Sequence, residues 1–561
     1  MNGFFMNARG VVLSSLMLAS FAPAAHSTGT QRFTPGNGAS DAYPDAELGI
    51  VFDAMPVLGT SGRIRVYRTA DRVLVDSIDV SEASTAASGE TQTAMPRTNT
   101  EIDAIGGAVT TIGGRARWVY YSPVKIAGNR AGIELHDGKL AYDTSYYVVI
   151  DAGVLRGSIR GVAFDGVSDP SAWTFTTRPS PSSVTDISVG MRGPTDFRSI
   201  QAALNWLMAH CSNSAPVAYG CNTGATQKRV RIAAGVFEEL LFLRDVDNIS
   251  LIGAGRRRTQ VQYENFDNYN PGTGVSDVKP LTTMSAVGTG TRRRLGGGRS
   301  VLLIEDSDLV TLSGFTLRNT HVKSLAVNNQ AEALYFNSVD PGGSRLVAAY
   351  MNFIGTQDTV QTRGWAWFYR SLIAGDVDFI WGSPFAALFE QSEIRTVADT
   401  TNPASGGYVM QARAQYGYPG FVVLDSRLTR DKTVPDGSTW LARSAGVGSK
   451  GYCTEKYVTG VFGNVNVFCD NIAYIRTRMD KHVASAGWNI APLPNLAPSA
   501  TTGWRESDSR NSRGRSLDLG GREAIYASSK IDLSAMDTRA KVFASWNDGA
   551  GWVPRAEAEA R

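Results

Sequence analysis

Histidine and cysteine are scarce in this chain. Its 561 residues hold five histidines and four cysteines, and no HExxH, CxxC or GxSxG stretch occurs. A zinc hydrolase built on paired helical histidines therefore has no support, nor does a His/Cys metal cluster. A Ser-His-Asp triad has little to draw on, since His26 falls in the N-terminal apolar segment. Charge of one sign is also lacking: 55 basic against 52 acidic residues leave +3. That balance argues against a nucleic-acid partner, though not against a polyanion met locally. Past the first residues no apolar run is long enough to span a bilayer.

What is present begins with an export signal. Arg9 supplies the positive end, Val11 to Phe21 the apolar core and Ala22-Pro23-Ala24 a small-residue cleavage zone, so residues 1–27 read as a signal peptide. A retained anchor is the alternative, but the run is short for a span. No cysteine stands near the cleavage zone for lipid attachment. In an exported chain Cys211 with Cys221, and Cys453 with Cys469, read as two short-loop disulfides clipping surface loops; a zinc site is the rival. The chain is expected outside the cytoplasm, without a membrane span after signal cleavage, and as a monomer.

At this length more than one domain is expected. Residues 28–44 are polar and rich in Gly, Ser and Pro, and read as a linker. Between 45 and 180 short alternating runs recur, among them RIRVY, VLVDSIDV, WVYY, YYVVI and WTFTT, the pattern of a small β-sandwich. Within it LAYDTSYYVVIDAGVLRG followed by AWTFTT resembles bacterial immunoglobulin-like modules, which implies a module without chemistry, a spacer or one that keeps the chain near carbohydrate. RPSPSS, Arg178 to Ser183, reads as a second linker, and the rest, 184–555, as the larger domain. It opens with a helical pattern, SIQAALNWLMAH, with Asp196 or Ser199 as N-cap. Strand-like runs then repeat. Phe353, Ile373 and Ile394 occupy equivalent places at steps of about 20 residues, the period of a coil in a parallel β-helix. A large β-sandwich is the competing fold, but it does not account for such even steps.

That period gives two acids a geometry. Asp358 and Asp378 stand twenty positions apart, so one coil would bring them side by side on one sheet. Neighbouring carboxylates do not readily both ionise; one remains a nucleophile or base while the other keeps a proton. Both could equally be turn caps between strands. Gln357 and Gln330 offer amides to an oxyanion, and Arg443 a partner for an ionised Asp, although alone Gln330 reads as a surface or ladder residue and Arg443 as a solvated loop arginine.

In order and spacing NNQAEAL, GTQDTV, GDVDFIWG and LARS resemble the QAxAL, GxQDTL, GxVDFIFG and LGRxW motifs of pectin methylesterases (pectinesterases). DFRSIQAALNW, AGVFEELLFL, ISLIGAGRRRT and SGFTLRNT resemble earlier segments of that family, so the likeness runs from about Thr195 to Trp488. The resemblance implies an all-β chain: a right-handed parallel β-helix preceded by a small Ig-like β-sandwich. It implies no metal and no cofactor, and a methyl-esterified galacturonan (pectin) substrate. Asp378 would be the nucleophile and Asp358 the general acid, then base. Gln330 and Gln357 would hold the oxyanion, and Arg443 would orient Asp378. Phe379 and Trp381 would meet the sugar, Trp381 replacing a family phenylalanine; a core position is the other reading of Trp381. Gln361 stands where an aromatic often follows QDTL, and Ser444-Ala445 follow Arg443 where the family has a tryptophan. The catalytic set is thus more complete than the sugar-stacking set. An esterase or thioesterase of other specificity on the same site is the alternative, and a non-catalytic polysaccharide-binding β-helix a further one. The arginine runs Arg256–Arg258 and Arg292–Arg294 read as solvated loops, or as contacts for a polyuronate.

Overall fold

In the computed structural model, residues 32–556 are described, except 81–97, 100–116, 118, 216, 271, 273–297, 446–452, 454–468, 493, 495–496 and 523–530. The segment read as a signal peptide and Arg292–Arg294 lie outside the described residues.

Three stacked parallel sheets dominate the chain from Asp186 onward. Among the described residues they hold ten, nine and eight strands. Each coil gives one strand to each sheet, as in Lys228–Ile232, Gly235–Glu238 and Leu241–Arg244. Every pairing in these sheets is parallel, so the fold is a parallel β-helix, not a sandwich of antiparallel sheets. Phe353 pairs with Ile373 and Ile373 with Ile394, all in the second sheet.

The repeat is kept in register by its corners. Tyr350, Arg370, Gln391, Asp425, Arg476 and Asp508 each follow a first-sheet strand, and all adopt positive φ. After several of them comes an inward hydroxyl that receives a neighbouring coil's amide: Ser371 N–H donates to Ser392 Oγ at 3.2 Å, and Ser392 N–H to Ser426 Oγ at 2.9 Å. These bonds satisfy backbone groups that a tight buried corner would otherwise strand. Between the corners apolar side chains stack coil on coil, as Phe368 does on Phe389 with centroids 4.6 Å apart.

The helix Ile200–Cys211 sets Leu204, Leu207 and Met208 against this core at its N-terminal end. Its N-cap is Ser199, whose Oγ accepts from Ala202 N–H at 3.2 Å. Asp196 instead accepts from Ser188 N–H and Oγ–H. The sulfurs bond as Cys211–Cys221 and Cys453–Cys469.

The described residues between 33 and 177 form two further main sheets, of five and four strands, around Ile50, Val66, Val148 and Trp173. Here one expectation is corrected. The segment 28–44, read as a linker, contributes Phe33–Thr34 and Ala39–Ala42 to these sheets. Ala39–Ala42 is short and polar, so its composition hides a strand whose partner, Thr174–Thr177, lies far along the chain. The sandwich also docks on the β-helix. Asp45 Oδ2 accepts from Ser199 N–H at 2.8 Å, and Ser122 N–H donates to Tyr263 Oη at 3.0 Å. Buried Arg117 donates to the carbonyls of Leu241 (2.8 Å), Gly298 (3.3 Å) and Ser300 (2.7 Å).

Candidate active site

Asp358 and Asp378 occupy one place on successive coils. Val360 pairs with Ile380, and Asp358 N–H donates to the Val377 carbonyl at 3.0 Å. Both acids adopt left-handed backbone, with φ of 63° and 47°, a conformation that Asp tolerates better than most residues. Gly375 sits so close beneath this corner that a Cβ there would lie 2.2 Å from Phe379 Cβ. Both carboxylates are nearly buried, at 7% and 5% exposure.

Their partners differ. Arg443 reaches Asp378 with Nε, at 2.9 Å from Oδ1 and 3.0 Å from Oδ2, and with Nη2 on Oδ2. Gln411 Nε2 donates to the same Oδ2 at 3.0 Å, while its own Oε1 accepts from Arg413 Nη2 at 2.8 Å. Burial raises the Asp378 carboxyl above the ordinary range, and Arg443, with Arg413 behind it, opposes the rise.

Asp358 Oδ2 accepts from Arg299 Nη2 at 3.0 Å. That guanidinium is shared. Its Nε donates to both oxygens of Glu332, at 3.1 and 2.9 Å, and its Nη1 to Asp267 Oδ1 at 2.9 Å. Burial pushes Asp358 well above the ordinary carboxylate range; Arg299 pulls it back, while Glu332 and Asp378 push it further. The arrangement pairs a carboxylate whose guanidinium makes, among the described residues, no other carboxylate hydrogen bond with a carboxyl raised by burial and neighbouring acids, a set suited to nucleophilic attack and proton donation.

Gln357 directly precedes Asp358 on its coil, and Gln330 lies on the coil before. Ala331 N–H donates to the Gln357 carbonyl at 3.2 Å, which fixes the two segments against each other. The buried Gln330 Oε1 has no hydrogen-bond partner among the described residues. Trp381 keeps 8% of its surface exposed, and the Arg413 and Arg299 guanidiniums lie 5.1 and 5.9 Å from its ring centroid. Phe379 does not line the site. It is fully buried in the β-helix core, as is its neighbour Ile380. Alternation would turn one of them outward, but the register shifts between Val377 and Ile380, next to the left-handed Asp378, and both point in. Gln361 is likewise buried, its Oε1 without a hydrogen-bond partner among the described residues.

Four residues of this cluster escaped sequence reasoning: Arg299, Glu332, Gln411 and Arg413. Glu332 is the variable position of NNQAEAL and carried a signal, being a charge inside an otherwise apolar strand entry. The other three stand in no motif. Among the described residues no three histidine, cysteine or carboxylate side chains are grouped to hold a metal ion.

A stack of parallel coils presenting a polarised carboxylate pair defines a carboxylate-dependent site on a β-helix scaffold. No protein-family model matches the chain. A pectinesterase of Ralstonia nicotianae is 25% identical over 291 residues, covering 50% of this chain and 67% of that protein, and one of Ralstonia solanacearum matches to the same extent. Over half of its length this chain is thus similar to proteins named pectinesterase. Among solved structures, pectin methylesterase PemA from Erwinia chrysanthemi is 22% identical, with a TM-score of 0.44 over 65% of this chain and 98% of that one. Pectin methylesterase from carrot is 18% identical, with a TM-score of 0.43 over 66% and 95%.

Proposed function

We propose that this chain hydrolyses methyl esters of galacturonan, releasing methanol and leaving a carboxylate on the polymer. The observation that carries the reading is the unequal pair: Asp378 held by Arg443 and Gln411, Asp358 one coil away in surroundings that favour its proton. In the first step an Asp378 oxygen attacks the ester carbonyl carbon, and the amides of Gln330 and Gln357 donate to the oxyanion. The tetrahedral intermediate collapses to an acyl-Asp378 anhydride as Asp358 gives its proton to the departing methoxide. Asp358, now ionised, takes a proton from water, whose oxygen attacks the acyl carbon. Collapse returns Asp378 as carboxylate, releases the product acid and leaves Asp358 protonated. Arg443 orients Asp378 throughout.

The chain acts as an exported two-domain protein, sandwich 45–180 followed by β-helix 184–555, with the strands at 33–42 belonging to the sandwich. The two disulfides and the N-terminal apolar run support export. Among the described residues no helix is long and apolar enough to cross a membrane. Buried Gln361 and the absence of an aromatic after Arg443 favour, as a second reading, an ester other than methylated galacturonate on the same acids.

The test gives purified protein highly methylated pectin and follows methanol, chain length and unsaturated chain ends together. Methanol without chain cleavage is expected. Shortened chains or unsaturated ends without methanol would replace the reading with a depolymerase. Inertness on pectin with turnover of a simple ester or thioester would favour the second reading.

A further inference from the structure

We infer that Arg299 and Glu332 are a positioning pair for Asp358: Arg299 fixes the carboxyl, and Glu332 occupies enough of the guanidinium for that carboxyl to keep a proton. The inference rests on Asp358 acting as the proton donor.

Register supplies the geometry. Leu334 pairs with Val360, so Glu332 stands in the place on its coil that Asp358 holds on the next and Asp378 on the one after. Three acids thus climb one corner of the β-helix, and the lowest is completely buried. A buried carboxylate in that position needs a reason, because leaving it unpaired would be costly. Its reason is Arg299, which it grips with both oxygens while the remaining Nη atoms reach Asp358 and Asp267.

An undivided arginine beside Asp358 would commonly depress a carboxyl by about one to three pH units, leaving it ionised and unable to donate. Glu332 prevents this. Burial raises the Glu332 carboxyl, and its charge and hydrogen bonds with Arg299 oppose the rise; with Glu332 charged, Arg299 is already balanced, and ionising Asp358 adds an uncompensated charge in a buried place. The other charges facing Asp358 are Asp378 from the following coil, which also disfavours ionisation, and Arg413, which favours it. Arg443 is hydrogen-bonded to Asp378 but its charge also reaches Asp358 and favours ionisation there, and Asp267 lies beyond Arg299. A purely structural role would tie the coils together without affecting the proton.

Glu332→Gln separates these roles, since it keeps the shape and an acceptor but removes the charge. The alkaline limb of the kcat/KM profile for methanol release should move down by about one pH unit or more. The acid limb, which follows Asp378, should stay. Glu332→Asp, which restores the charge, should bring the limb back toward the parent. A readout without turnover is the infrared titration of the Asp358 carboxyl, taken as a difference against Asp358→Asn; it should show the same downward shift. Asp267→Asn, on the more exposed arm of Arg299, should shift both readouts the same way by less, and carries the test if Glu332→Gln does not fold. An unmoved carboxyl titration in the folded variant overturns the inference, even if kcat falls. Absence of turnover by the parent on any ester would instead remove the proposed function, and the titration would still decide the pair.

Discussion

Asp358 and Asp378 sit on the same corner of adjacent coils, with the same left-handed backbone and almost equal burial, yet their surroundings oppose each other. Asp378 meets a guanidinium that no other carboxylate claims in the hydrogen bonds seen, and whose side chain is 35% exposed. Asp358 meets a buried guanidinium that two other acids also grip. Backbone position therefore does not distinguish the two acids; the number of carboxylates per arginine does. The β-helix makes this economical, since each coil repeats the slot and only the inserted side chains differ.

The largest test of the contrast removes the acid with the unshared cation. Asp378→Ala should lower kcat for methanol release by more than about a hundredfold, the usual minimum when a nucleophile is lost. Turnover at the parent rate would move the nucleophile elsewhere and leave the contrast without catalytic meaning. Next comes the cation itself. Arg443→Met removes charged hydrogen bonds of roughly 1.5–3 kcal/mol, or about ten- to a hundredfold in rate. It should also move the acid limb of the pH profile upward. In the proposed mechanism Asp378 acts ionised; burial already raises it, and Arg443 opposes that rise. Activity would then be lost at a higher pH on acidification, whereas Glu332→Gln should move the opposite limb.

The sequence made the acids legible but only half of their surroundings. Asp358 and Asp378 stood out because their spacing equals one coil, and Arg443 because it closes a motif. Coils elsewhere are uneven: third-sheet partners around the site lie 26, 20, 30 and 32 residues apart, so no fixed period leads from Asp378 to Gln411 or from Asp358 to Arg299. Arg299 is harder still, as it follows a Gly-rich stretch that reads as loop. Phe379 was misplaced for a local reason: a left-handed residue breaks strand alternation, and φ is not visible in DVDFIW. The polar strand Ala39–Ala42 was missed because edge strands owe their pairing to a distant partner more than to their own apolar pattern.

A smaller effect is expected from Gln411, which gives Asp378 one hydrogen bond. Gln411→Ala should cost about tenfold in kcat, with the acid limb raised less than in Arg443→Met. An effect equal to that of Arg443→Met would mean that the amide, and through it Arg413, carries as much of the Asp378 environment as the guanidinium.

The smallest effect lies on the other acid and reaches it from the N-terminal sandwich. Arg117 donates to the carbonyls of Gly298 and Ser300, the two residues on either side of Arg299. Asn265 Nδ2 reaches the same two carbonyls, at 3.3 and 2.9 Å, so the segment is held from the β-helix side as well. Arg117→Ala should therefore loosen Arg299 without releasing it. The expected result is a loss of a few-fold in kcat, read as methanol release, with a measurable fall in Tm, because buried carbonyls lose a charged donor. The effect should fall on the alkaline limb alone, since Arg443 and Gln411 are untouched. A sandwich that serves only as a spacer predicts no change in either limb. An equal disturbance of both limbs would mean that the docked sandwich stabilises the whole corner, and the separation between the surroundings of the two acids would then be less complete than their hydrogen bonds imply.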